Sequence, residues 1–225
     1  IGLDEGDEIA GVRLTNGDAE LIIATRNGRA IRIEENSVRE MSRSAHGVRA
    51  IRLREGDYVV SMARVREGAT VLTVTDKGQG RRSELDSYRV QGRGGYGLLN
   101  YKVSDEKGYV CGIKVVDETD DIMLISTDGV VIRIRACDIS VMGRYATGVR
   151  VMRIDGDDNR VVAFTRTEHD DEEEIQAVEG PSEEELKSEA ENALLEEQNE
   201  EIEEDIEIDD EDIEEEIEID KETDE

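Results

Sequence analysis

Aromatic residues are almost missing from this 225-residue chain, which has no tryptophan, one phenylalanine and six tyrosines. Valine, isoleucine and leucine must therefore fill any core. Cysteine is scarce too: Cys111 and Cys137 stand alone, and with no signal peptide they are expected as reduced, buried thiols rather than a disulfide framework. No apolar run approaches the roughly 20 residues that a membrane-crossing helix needs. The two histidines, His46 and His169, have no partner at metal-ligand spacing and are expected to be ordinary loop residues. Walker loops, HExxH and GxSxG elements are missing. Asp155-Gly156-Asp157-Asp158-Asn159 starts like a calcium loop, but Arg160 stands where glycine is required and no glutamate closes it. A turn is the expectation there, with no metal site and no catalytic residue in the chain. The chain also begins at Ile1 without an initiator methionine, at the edge of a repeat, as a piece cut from a longer protein would.

Charge divides the chain in two. Residues 1–167 carry 26 Lys+Arg and 26 Asp+Glu, whereas residues 168–225 carry 2 and 32, so the net charge of −30 lies wholly in the tail. A segment that acidic cannot bury enough apolar surface to offset its ordering entropy. It is expected to be mostly disordered, with a transient helix after Pro181 and a solvated acidic run over 202–219. The predicted domains are 1–167 and 168–225.

What is abundant is repetition. Three markers recur at a step of about fifty residues. The first is an Arg followed four residues later by Gly: Arg43 and Gly47, Arg93 and Gly97, Arg144 and Gly148. The second reads Thr25-Arg26-Asn27-Gly28, Thr75-Asp76-Lys77-Gly78 and Ser126-Thr127-Asp128-Gly129. The third is apolar and occurs four times, from Ile9, Val59, Val110 and Val161. Strand-rich units of this length belong to propeller blades.

Within a unit, apolar runs flank X-Gly pairs, the strongest short hairpin signal. Glu8–Leu14 and Ala19–Thr25 flank Asn16-Gly17, and Asn27-Gly28 leads into Arg29–Ile33. A polar stretch follows, then the Arg loop, then a last strand such as Val48–Leu53. The predicted fold class is all-β: a partial propeller of about three four-stranded blades plus the start of a fourth, then the acidic tail.

In the Arg loop, Gln91-Gly92-Arg93-Gly94-Gly95-Tyr96-Gly97 resembles the Gln-basic-Arg-Gly-Gly-basic-Gly box in the C-terminal domain of DNA gyrase A. The resemblance extends over residues 1–167 and takes in Val38-Arg39-Glu40-Met41, Tyr88-Arg89-Val90-Gln91 and Asp138-Ile139-Ser140-Val141-Met142-Gly143-Arg144. Gly92 and Tyr96 replace two basic residues, so this copy of the box is degenerate, and degenerate boxes are also what topoisomerase IV A subunits show. The resemblance implies a six-bladed β-pinwheel whose hairpins invade neighbouring blades, with DNA wrapped on a basic rim in support of ATP-dependent negative supercoiling. The partners it implies are the gyrase B subunit, plus a second A subunit. ATP and magnesium would be used by the complete enzyme but not by this chain. The place implied is the cytoplasm, at the nucleoid and not at a membrane, with the acidic tail modulating wrapping.

The rim candidates are Arg43, Arg93 and Arg144 from the loops, with Arg49, Arg150, Lys77, Arg81 and Arg82 beside them. Glycine amides of the loops are expected to approach phosphate, and an arginine to form charge-assisted bonds with it. Arg32, Arg133 and Arg135 alternate with isoleucines and are expected on a solvated strand face. Two other readings stand beside DNA wrapping by gyrase: the equivalent domain of topoisomerase IV, and a protein-interaction propeller in which the recurring arginines tie blades together.

Overall fold

The computed structural model describes residues 2–169 except Ser44 and Asp157. Every regular element among them is a strand or a single 3-10 turn. The X-Gly signals close three hairpins: β1 (Glu20–Thr25) with β2 (Arg29–Glu34), β4 (Thr70–Thr75) with β5 (Gln79–Glu84), and β8 (Asp120–Ser126) with β9 (Val131–Arg135). Gly28, Gly78 and Gly129 sit at φ of +79°, +74° and +84° in these turns, a region open mainly to glycine.

Each sheet is completed by the following repeat. Strand β3 (Val59–Arg64) pairs with β1, β7 (Val110–Val116) with β4, and β11 (Val161–Glu168) with β8. A short arm then reaches back to the outer edge: β6 (Leu98–Leu99) onto β2, and β10 (Val149–Arg150) onto β5. The sheet orders are therefore β3-β1-β2-β6, β10-β5-β4-β7 and β11-β8-β9. Four strands form a blade, but they come from two consecutive repeats. Val161–Phe164 is accordingly the third strand of the third blade, not the start of a fourth.

The same rule explains why Glu8–Leu14 forms no strand. Its counterparts β3, β7 and β11 each pair with the hairpin of the repeat before, and no hairpin among the described residues pairs with it. Ile9, Val12 and Leu14 are 60%, 76% and 92% exposed as a result. Asn16-Gly17 makes no hairpin either. The Glu35 carboxylate ties this loop to the end of β2, accepting from the Thr15 hydroxyl and from the amides of Gly17 (3.0 Å) and Ala19 (3.1 Å). The Thr15 hydroxyl is the first cause of the lowered Glu35 pKa, ahead of those amides.

The core lies between blades and is aliphatic. One cluster joins Ile22, Ala24 and Ala30 of the first blade to Val71, Ile113 and Val115 of the second. Another joins Leu72 and Val74 to Ile122, Leu124 and Phe164. Cys111 is half-buried with its thiol over the Val74 carbonyl (3.4 Å), and burial pushes its pKa up to about 12. Cys137 is exposed, against expectation.

Beyond the aliphatics, two arginines that alternate with isoleucine tie strands together, Arg32 to the next repeat and Arg133 within its own sheet. Arg32 donates to the carbonyls of Leu85 and Tyr88 (both 3.2 Å), in the 3-10 turn of the next repeat, and pairs with Glu20. Arg133 pairs with Asp121 (2.7 Å) and donates to the Glu168 carbonyl. Arg133 and Arg135 are exposed as expected, and only Arg32 of the three is half-buried. His169 is no ordinary loop residue, since its Nδ1 lies 2.9 Å from Asp121. The compact unit runs through His169, slightly past the predicted boundary at 167. The disorder, transient helix and acidic run expected beyond it fall outside the described residues.

Asp121 gives a pH prediction. Burial alone would raise its pKa, but the bonds and charges of His169 and Arg133 outweigh that and hold it below the usual carboxylate range. A lowered folded-state pKa stabilises the fold at pH values above the unfolded pKa, and that contribution is lost as the pH falls below about 4. Asp121→Asn should cost about 1.5–3 kcal/mol at neutral pH, the worth of hydrogen bonds to a charged group. Urea denaturation at pH 7 and pH 3 checks it: the gap between wild type and variant should narrow at the lower pH.

Candidate nucleic-acid interface

The three Arg loops occupy equivalent places along the array, and each later loop touches the arm of the repeat before it. In the second loop, the Gly94 amide donates to the Ala50 carbonyl (2.6 Å), and the Arg52 amide donates to the Gly95 carbonyl (2.8 Å). In the third, Arg144 donates from Nη1 to the Leu99 carbonyl (2.5 Å), and Lys107 Nζ to the Thr147 hydroxyl (2.9 Å). Loop and arm therefore alternate in one continuous run. Any cation at a fixed position in the unit is repeated along it.

Gly94, Gly95 and Gly97 of the box are engaged at this junction. Gly94 gives its amide to Ala50. A Cβ on Gly97 would lie 2.5 Å from the Ala30 carbonyl oxygen, and one on Gly148 would lie 2.4 Å from that of Gly80. Glycine is needed because two backbones meet there. The Gln91 amide donates to the Arg32 carbonyl (2.8 Å), so the start of the box is a tether as well.

The eight sequence-predicted cations separate into five exposed, two buried and one half-buried. Arg43, Arg49, Lys77, Arg93 and Arg150 are exposed. Arg93 touches the Ser37 carbonyl through Nε (3.1 Å) and leaves the rest of its guanidinium at the surface. Arg81 and Arg82 are withdrawn from the rim, being 0% and 3% exposed. Arg81 donates to the carbonyls of Ala146 (3.0 Å), Arg144 (2.7 Å) and Asn100, and to the Ser83 hydroxyl. Arg82 donates to the Ile139 carbonyl (2.7 Å), as Arg32 does to its counterpart Tyr88. A buried guanidinium is affordable only where such acceptors replace water, and two consecutive arginines on a strand with Ser83 give no sign of which face is enclosed. Arg144 is half-buried between the rings of Tyr88 (5.6 Å) and Tyr145 (5.4 Å), so it is chiefly a junction residue.

Sequence reading misses one recurring set. Arg52, Lys102 and Arg153 each lie nine residues after a loop arginine, and all three are exposed. The fifty-residue step alone could have found them. Arg52 lies over the Tyr96 ring (5.3 Å), next to the second loop, and Arg153 pairs with exposed Asp155 (3.0 Å). The exposed cations of the run are thus Arg43, Arg49 and Arg52, then Arg93 and Lys102, then Arg150 and Arg153. Among the described residues, no group of three or more His, Cys, Asp or Glu side chains could hold a metal ion. No helix among them is long and apolar enough to cross a membrane.

Comparison with known proteins agrees with this architecture. The family model described as DNA gyrase C-terminal domain, beta-propeller, matches residues 19–66, 69–117 and 120–168, one match per blade. The DNA gyrase A subunit of Salmonella typhimurium is 39% identical over 180 residues, covering 80% of this chain and 20% of that protein. Its counterpart in Staphylococcus aureus is 39% identical over 176 residues, covering 77% and 20%. The chain therefore spans about one fifth of the length of these relatives. Among solved structures, the C-terminal domain of DNA topoisomerase IV superposes with a TM-score of 0.70 at 27% identity, covering 78% of this chain and 55% of that one. The DNA gyrase A C-terminal domain superposes at 0.63 and 31% identity, covering 66% and 50%. Each match to the family model falls on one of the three hairpin-centred blades, and the chain belongs to the DNA gyrase C-terminal β-propeller family.

Proposed function

We infer that this part of the chain binds duplex DNA without reading its sequence, along the run of alternating loops and arms. The observation that carries it is the recurrence of exposed cations at fixed places in successive units, from Arg43 to Arg153. Contacts of this kind position a phosphate backbone but do not distinguish bases. A row of them carried by successive propeller blades favours a bent duplex. Bending 20–30 bp through 40–90° costs on the order of 1–6 kcal/mol, which several phosphate contacts offset.

In a complete enzyme this wrapping would serve ATP-dependent negative supercoiling. The partners would be the gyrase B subunit, plus a second A subunit, with ATP and magnesium used elsewhere in the assembly. The setting is the cytoplasm, at the nucleoid. Relatives at 37–39% identity are named as DNA gyrase A subunits, which favours gyrase. Topoisomerase IV stays as a second reading because its C-terminal domain superposes on this chain.

The test is titration of linear duplex at several salt concentrations with the chain and with an Arg49→Ala, Arg93→Ala, Arg150→Ala variant. Each lost phosphate contact lowers the slope of log affinity against log salt by about 0.9, so three should lower it by about 2.7. Affinity near 150 mM salt should fall on the order of 10²-fold. An unchanged slope would make these arginines structural and return the protein-interaction propeller.

A further inference from the structure

Loops and arms run along one edge of the blades, and the opposite edge carries a second set of cations. Strands β3 and β7 close their sheets on the side away from the arms, and β11 holds the same position in the third. Of these three strands, β7 packs between the other two. Each carries a copy of the apolar marker, and all four copies of that marker lead into a cation. Arg13 and Lys114 follow Val12 and Ile113 directly, while Arg64 and Arg166 stand two residues after Met62 and Phe164. Each copy thus brings one positive charge to the same place.

That place is a cavity of about 610 Å³, lined by these four cations, Arg66 and a single carboxylate, the exposed Glu67. Small-molecule sites span roughly 300–1,000 Å³. Two of the cations are already compensated. Buried Asp120 pairs with Arg166 (2.9 Å) and Arg66 (3.4 Å), and Arg66 also pairs with Asp117 (2.8 Å). The other three form no ion pair among the described residues. Arg13 donates to the Val12 carbonyl (2.7 Å) and Arg64 to Asn16 Oδ1 (3.1 Å). Lys114 is half-buried, with its ammonium 5.9 Å from the centre of the Phe164 ring, and no acceptor among the described residues reaches it. Burial, then repulsion from Arg13, lowers its pKa. Like charges held together away from water are costly until an anion joins them.

We propose that this cavity binds a compact chain of two or three phosphates, free or carried on a nucleoside, through Arg64, Lys114 and Arg13. Cations that converge from separate strands suit such a chain better than a single phosphate, because each can hold a different phosphate group. Charge-assisted bonds to phosphate oxygens are the strong ones, and the arginine fork matches them. Arg66 and Arg166, fixed on Asp120, keep the wall in shape. The site shares no residue with the run from Arg43 to Arg153, which follows the loops and arms. Its ligand would brace β7 against β3 and β11, so binding should also raise the unfolding temperature.

Isothermal titration of the 225-residue chain with tripolyphosphate at physiological salt tests this. Lys114→Met keeps the length of the side chain and removes a partly buried charge, so the variant should stay folded and bind about tenfold or more weakly. Arg64→Ala, at an exposed site, should weaken binding in the same way. The variant that lacks Arg49, Arg93 and Arg150 should bind tripolyphosphate within about twofold of the wild type, and Lys114→Met should bind duplex DNA equally close to it. Orthophosphate should bind about tenfold or more weakly than tripolyphosphate. ATP without magnesium separates the sources: affinity equal to that of tripolyphosphate assigns a chain carried on a nucleoside, and a clear loss assigns a free one. Unchanged affinity in both Lys114→Met and Arg64→Ala overturns the proposal. So does orthophosphate that binds as tightly as tripolyphosphate, or loss of tripolyphosphate binding in the variant without Arg49, Arg93 and Arg150.

Discussion

Gly78→Ala should cost this protein several kilocalories per mole, while Gly129→Ala, at the equivalent turn one repeat later, should cost about 1–2 kcal/mol. Both glycines have a left-handed backbone, at +74° and +84°, so each substitution carries the strain of an L residue there, about 1–2 kcal/mol. Only Gly78 has another backbone against it, the Met152 carbonyl oxygen 2.1 Å from the new Cβ. Carbonyl and turn cannot separate without releasing the two arm amides that bond Gly78. Losing that docking would leave buried amides unpaired, at about 1–3 kcal/mol each, and would open the β10–β5 pairing with them. Thermal unfolding of the two variants checks the contrast. Each 1 kcal/mol should move the midpoint by about 2–4 °C in a unit of this size. Equal shifts would show that the turn conformation alone requires glycine and that the arm is not held there.

That contrast also marks how far the sequence can be read. The fifty-residue step and the X-Gly turns are enough to place all three hairpins, because a hairpin is local: its turn chemistry and flanking apolar runs lie close together in the chain. The exchange of strands between repeats is not local. Val59–Arg64 reads equally well as the last strand of one unit or the first of the next, and only its pairing with β1 settles which. The resemblance of the box points to invasion between blades without giving the partners. For the same reason Glu8–Leu14 carries a strand pattern yet pairs with no strand among the described residues. At the candidate interface the loop arginines are legible as a period, yet period alone does not separate a phosphate contact from a carbonyl contact. Arg93 and Arg144 share one position and end differently, since Tyr88 and Tyr145 enclose the second while its counterpart stays at the surface.

The arginine with the largest expected effect reads from the sequence as a surface cation, yet it is among the most buried side chains in the chain. Arg81 fills the space between the second blade and the third loop, with its guanidinium over the Tyr101 ring at 5.3 Å. Its acceptors are the carbonyls of Ala146, Arg144 and Asn100 and the Ser83 hydroxyl, with no carboxylate among them. A fixed charge held by neutral oxygens depends on the planar, forked donor geometry of arginine. Arg81→Ala should therefore cost about 3–5 kcal/mol, comparable to breaking a buried charged network, because three carbonyls lose their donor and a large cavity opens. Arg81→Lys should recover only part of this, since one ammonium cannot reach acceptors arranged for a fork. Arg93→Ala, at an exposed site, should stay within about 0.5 kcal/mol of wild type. Urea denaturation of the three variants, followed beside their DNA affinity, separates the roles. Arg81→Lys should lose stability while any remaining folded protein keeps its salt slope, and Arg93→Ala should keep stability while its slope falls. If Arg93→Ala unfolded the protein as readily as Arg81→Ala, the division between junction and surface arginines would be wrong.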